Sequence, residues 1–97
     1  MTIFVLTTDD NVLHVFASEA AALTSDAVKA NMGRDDALFF ADDGSGLRHD
    51  RVAGADYLRP WASCSSCSLP QVLHLVSAVV GASPLDSLEA VARYTMR

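Results

Sequence analysis

The sequence predicts an α+β domain, with an antiparallel sheet of about four strands in the order ββαββ. Two C-terminal helices follow, and the helices cover one face of the sheet. Three observations predict this. Two short β-branched and aromatic runs flank Asp9-Asp10-Asn11 near the start of the chain, which is a hairpin signal. A second pair of runs flanks Asp42-Asp43-Gly44-Ser45-Gly46, the strongest turn in the chain. Helix signals stand between the pairs and after them, without regular strand–helix alternation. Ninety-seven residues make one domain, 1–97, with no internal repeat or low-complexity tract.

Ile3 to Thr8 and Val12 to Ala17 read as the first hairpin. Both faces of these strands are apolar, with Ile3 and Val5 on one and Phe4 and Leu6 on the other. That predicts a hairpin covered on both sides, or covered on one and paired with another chain on the other. Ser18 is an N-cap residue and Glu19 favours the positive end of the helix dipole. The helix is expected to run to about Met32, with a stripe of Ala20, Leu23, Ala27 and Ala30 and Gly33 at C′. Thr24-Ser25-Asp26 is a place where it could break. Ala37 to Ala41 and Leu47 to Val52 form the second hairpin, the latter polar and at an edge. Ala53 to Leu69 reads as an ordered loop, with room for a helical turn or a short strand near Tyr57-Leu58.

Pro70 suits helix position N1, and a helix is expected on to Val76 or Val80, its face made by Leu69, Val72, Leu73, Val76 and Val80. The β-branched run Ser77–Val80 leaves a strand open as the alternative. A final helix is expected from Ser83-Pro84, with Asp86 at N3 and Leu85, Leu88, Val91, Ala92 and Thr95 buried.

Twelve carboxylates face seven Lys+Arg, for a net charge of −5 and a pI near 4.8. Ten of the acids are Asp, six of them in the pairs Asp9-Asp10, Asp35-Asp36 and Asp42-Asp43. Asp is a turn residue, so the charge is expected at loops. Such a chain is repelled by phosphate backbones and anionic lipid, which argues against direct nucleic-acid or membrane binding. It could still mimic nucleic acid toward a protein. No signal peptide or spanning segment is apparent, so a cytoplasmic location is expected. The apolar fraction of 51% hints at an oligomer, such as a homodimer, or at a partner site.

Cys64-Ser65-Ser66-Cys67 could serve a zinc or redox site. It supplies only two of four zinc ligands, and His49 and His74 lack finger spacing. A redox site would need a βαβ context that the pattern lacks. Filling of a tight turn is the simpler reading. His49 beside Asp50 is not a triad geometry in itself. The Asp42–Gly46 segment lacks the ligand spacing of an EF-hand and the Lys-Ser/Thr of a phosphate loop. No enzyme and no cofactor is expected. Arg59-Pro60-Trp61 is the best contact candidate, because Arg and Trp dominate interface hot spots. Trp61 could equally plug one end of the core.

The opening Thr2-Ile3-Phe4-Val5-Leu6-Thr7-Thr8-Asp9-Asp10-Asn11-Val12-Leu13-His14-Val15-Phe16 resembles the start of a group of small uncharacterised bacterial proteins. Phe39-Phe40-Ala41-Asp42-Asp43-Gly44 and Pro84-Leu85-Asp86-Ser87-Leu88-Glu89-Ala90-Val91 look similar too. The likeness covers about half the chain and implies an immunity protein, antitoxin or phage-type inhibitor. It implies no functional residues. The expected function is therefore an acidic interaction protein that binds and neutralises a basic protein partner. Asp9, Asp10, Asp42 and Asp43 would form the rim of its site if the hairpin ends cluster, with Arg59 and Trp61 as anchors. The alternatives are a self-associating accessory or structural subunit, and a metal or redox module using Cys64 and Cys67.

Overall fold

A computed structural model describes residues 2–26, 28–29, 37–61, 68–81 and 85–95. Their elements are β1 (Ile3–Thr7), β2 (Val12–Phe16), α1 (Glu19–Thr24), β3 (Ala37–Phe40), β4 (Gly46–Val52) and β5 (Ala55–Pro60). Then come α2 (Leu69–Val72), a 3-10 turn (Leu73–Leu75), β6 (Ala78–Val80) and α3 (Leu88–Thr95). The chain is α+β, as expected. The sheet, however, has six strands in the order β5-β4-β3-β1-β2-β6, and it is mixed because β6 runs parallel to β2. The expected four-stranded antiparallel sheet with two following helices is not what forms.

Two strands account for the difference. Ala55–Pro60 is β5, paired with β4 from Val52↔Ala55 to Leu47↔Pro60, where an ordered loop was expected. The hairpin closes through Ala53 and Gly54, both at positive φ, 53° and 81°. That is the primed turn geometry that two-residue hairpins require, but built on a residue pair that does not announce it. The helix expected from Pro70 to Val76 or Val80 is α2 plus one 3-10 turn, and Ala78–Val80 is a strand, the alternative left open for Ser77–Val80. The β-branched Val79 and Val80 suit a strand, and Ser77 anchors its start by donating from its backbone N–H to the Asn11 carbonyl.

β1 lies at the centre and is buried over its whole length. Its alternate residues feed two cores. Ile3 and Val5 pack with Phe39, Leu47, Ala22 and Val28 on the α1 side. Phe4 and Leu6 pack with Leu13, Phe40, Leu69 and Val91 on the α2–α3 side. Helices therefore cover both faces, not one. This satisfies the two-sided apolar pattern of the first hairpin without a second chain.

Helix ends differ from expectation as well. Ser18 caps α1 by accepting from the Ala21 N–H at 3.1 Å. The helix stops at Thr24, where Ser25 is extended, at the break that Thr24-Ser25-Asp26 allowed, and Asp26, Val28 and Lys29 are helical again beyond it. Its buried residue is Ala22, and Ala20 is exposed. In α3 the start is at Leu88, and the Ser87 hydroxyl accepts from the Ala90 N–H at 3.2 Å. Leu88 is exposed, while Tyr94 packs edge-on against Phe4. Gly33, Ser83 and Pro84 lie outside the described residues.

Candidate functional site

Strand pairing separates the acidic pairs. β1 and β3 are antiparallel neighbours with Phe4 opposite Phe40 and Thr7 opposite Ala37. The turn after β1 and the turn after β3 thus lie at opposite ends of the sheet, roughly 20 Å apart at about 3.3 Å per residue. Asp9 and Asp10 do not meet Asp42 and Asp43, so the single acidic rim does not assemble.

Three of these four carboxylates also already have partners within the chain. Asp10 accepts from the Thr7 hydroxyl at 2.6 Å and the Val12 N–H at 3.1 Å. The Thr7 bond, helped by Val12, holds its carboxyl below the usual range. Asp43 accepts from the Ser45 hydroxyl at 2.6 Å and the Ser45 N–H at 2.9 Å, which lower it in the same way. Asp42 accepts from the Tyr94 hydroxyl, tying the turn to α3. Gly44, the next residue of the turn, is buried, and its carbonyl accepts from the Leu69 N–H at 2.7 Å. The Asp42–Gly46 turn is thus the seat on which α2 and α3 rest.

The other predicted residues, Arg59 and Trp61, do come together with new ones. On the α2–α3 side the helices stop at β3 and the near end of β4, while on the other side Glu19 of α1 reaches Leu58 of β5. Beyond, β4 and β5 form a ribbon whose side chains alternate between faces. On the α1 side lie Leu47, His49, Arg51, Asp56 and Leu58. Here Asp56 takes Arg51 Nε at 3.0 Å and His49 Nε2 at 2.8 Å. Both bonds, Arg51 first, hold the Asp56 carboxyl below its ordinary value. The structure thus pairs His49 with Asp56 across the strands, not with Asp50, because adjacent residues in a strand point to opposite faces.

The opposite face of the ribbon is uncovered among the described residues. It carries Arg48 opposite Arg59, Asp50 opposite Tyr57, and Val52 and Trp61 at its two ends. Val52, Tyr57 and Trp61 are 46%, 45% and 38% exposed. Asp50 sits between the arginines, 3.2 Å from Arg59 Nε and 4.0 Å from Arg48 Nη2. Sequence reasoning found Arg59 and Trp61 and missed Arg48, Asp50, Val52 and Tyr57. The signal was the alternation through Arg48–Val52 and Ala55–Arg59; with the second run read as a loop, the pairing that gathers these residues on one face is hidden.

Beside this face the sheet forks. β3 and β4 pair only at Phe39↔Leu47 and Phe40↔Gly46, then part. A cavity of about 240 Å³ opens there, with Leu38, Phe39 and Leu47 as its floor, Arg48 and His49 at its mouth and Trp61 as its lip. A smaller cavity of about 90 Å³ continues under Trp61 to Val72 of α2.

Cys64 and Cys67 lie outside the described residues. Among the described residues no group of three His, Cys, Asp or Glu could hold a metal. No helix among them is long and apolar enough to cross a membrane. Compared with family models, curated proteins and solved structures, the chain matches none.

Proposed function

We propose that this chain is an interaction protein that binds and neutralises a protein partner, in the manner of an immunity protein, antitoxin or phage-type inhibitor. The contact is made by the uncovered face of the β4–β5 ribbon. One observation carries the reading: Val52, Tyr57 and Trp61 stand exposed on one sheet face, interleaved with Arg48 and Arg59. Tyr, Trp and Arg are the residue types that supply most interface energy. They stand on paired strands and not on a disordered loop, which lowers the ordering cost of binding.

The net charge of −5 supports a basic partner, drawn in over long range and released by salt. The acids that steer it are spread around the molecule, so they set the encounter rate and not the contact. Direct nucleic-acid binding is disfavoured by the same charge.

The test is a pull-down from host lysate at low and high salt, with the wild type beside a Tyr57→Ala/Trp61→Ala variant. The expected result is one stoichiometric basic protein, lost with salt and lost with the variant. Equal retention by the variant would sink the assignment of the ribbon face.

Self-association is a second reading, favoured by the same exposed side chains and by Val80, 55% exposed on the edge strand β6. Light scattering over a concentration series separates the two. A dimer abolished by the double variant would favour this reading.

A further inference from the structure

We propose that the fork between β3 and β4 binds a small amphipathic carboxylate, with its apolar body under Trp61 and its anionic head at Arg48. The argument begins with strand pairing. β3 is paired to β1 through all four of its residues, and β4 is paired to β5 over six. Continued register would set Leu38 opposite Arg48 and Ala37 opposite His49, but the strands have parted and the 240 Å³ cavity lies between those residues. That volume is a little below the range of about 300–1,000 Å³ for drug-sized ligands, so the occupant is small.

The groove is graded. Its inner end, toward Phe40, Gly46 and Val72, is apolar. Its outer end carries Arg48 and His49. In a chain with twelve carboxylates, none lines either cavity among the described residues. Arg48 is the cation with a hand free. Asp50, its nearest carboxylate, approaches it only to 4.0 Å and lies closer to Arg59. A guanidinium presents paired donors that match a carboxylate. His49 forms a fixed wall, held by Asp56 at 2.8 Å and lying against Phe39 with ring centroids 6.2 Å apart. Trp61 offers an aromatic surface over the apolar end. A body of one ring or one short branched chain, ending in a carboxylate, matches this grading. A neutral or cationic ligand of the same body leaves Arg48 without a partner. The proposal does not rest on partner binding, although Arg48 and Trp61 belong to both surfaces.

The experiment uses the full chain and its own reporter. Trp61 is the only tryptophan in the sequence, so its fluorescence reports the lip of the groove directly. The probes are 4-phenylbutyrate and its neutral amide. The expected result is a saturable change in Trp61 emission with the acid, at least about tenfold tighter than with the amide. Arg48→Gln should reduce the acid to the affinity of the amide. Arg59→Gln, outside the groove, should leave the preference intact. Both arginines are exposed, so both variants should fold, and circular dichroism checks this. No saturable response to the acid, equal affinity for acid and amide, or an unaltered preference in Arg48→Gln would each overturn the proposal.

Discussion

Ala53 holds a φ of 53°, the left-handed region that costs an ordinary L-residue about 1–2 kcal/mol. Asn adopts that region more readily, and Asn-Gly is the preferred pair for this turn. Ala53→Asn should therefore stabilise the protein by roughly 0.5–1 kcal/mol, read as a higher urea midpoint at unchanged slope. Gly44 is the opposite case. At φ 86° a Cβ there would stand 3.3 Å from Pro70 Cδ and 3.4 Å from Thr95 Cβ. Gly44→Ala should cost roughly 2–3 kcal/mol, since packing adds to backbone strain. Gly54→Ala, at φ 81° with nothing within 4 Å, should cost only the backbone part, about 1 kcal/mol. Equal losses in the two would mean that the seat for α2 and α3 is not tight. Asp10 gives a pH signature. Its folded carboxyl titrates below the ordinary value of about 3.9, chiefly through the Thr7 hydroxyl. A lowered carboxylate stabilises above the unfolded pKa, and that contribution is lost as pH falls through the folded value. Asp10→Asn should thus be less stable than the wild type at pH 7, with the gap closing in acid below about pH 4. A gap that persists unchanged at pH 2 would assign the loss to geometry and not charge. These residues also mark what was legible. Asp9-Asp10 and Asp42-Asp43 read correctly as turn residues because turn-forming chemistry is local, whereas Asp35-Asp36 lies outside the described residues. Ala53 could not be read, because its strain is imposed by the strands on either side.

At the scale of elements, edges decide what the sheet can do. β5 is an edge strand, and its outward backbone is closed in two ways. Pro60 has no N–H, and the Leu58 N–H donates to the Glu19 carboxylate at 2.7 Å. Unpaired edge donors invite strand addition from other chains, so this side chain guards the sheet as well as tying α1 to it. Glu19→Ala should cost about 1 kcal/mol and speed amide exchange at Leu58. It should also raise self-association in a sedimentation series. Glu19→Gln keeps an acceptor and should recover most of the protection. Unchanged exchange at Leu58 in the alanine variant would remove this role. Elements built from local alternation, β1 to β4, were legible nearly to the residue. The Leu69–Val80 segment was not, because its apolar spacing fits a helix as well as a helical turn followed by a strand. The choice was made by a long-range partner, β2, which the sequence does not place beside it.

For the whole molecule, the consequence of the fork is a division of stability. β1, with Phe39 and Phe40 of β3 and Leu13 of β2, is buried between α1 on one side and α2 and α3 on the other, and β1 feeds both cores. The β4–β5 ribbon is joined to that block by two residue pairs, by Leu47 and Leu58 in the α1-side core, and by the Glu19 cap. Beyond Leu47 and Leu58 its side chains are exposed or half-buried. The same division explains why the candidate site was only half legible. Trp61 and Arg59 stand out by residue type, whereas Arg48, Asp50 and Tyr57 gain their role only when the ribbon places them on one face. Local opening free energies follow buried contact, so the ribbon should be the weaker unit. Amides of residues 50–57 should exchange through openings well below the global unfolding free energy, with little urea dependence. Those of β1 should exchange only by global unfolding. Binding of a partner across the ribbon face would raise protection there and leave β1 unchanged. Exchange of both regions at one common free energy, with the same urea slope, would show instead that the ribbon and the block open as one cooperative unit. The exposed aromatic face would then be held as rigidly as the core.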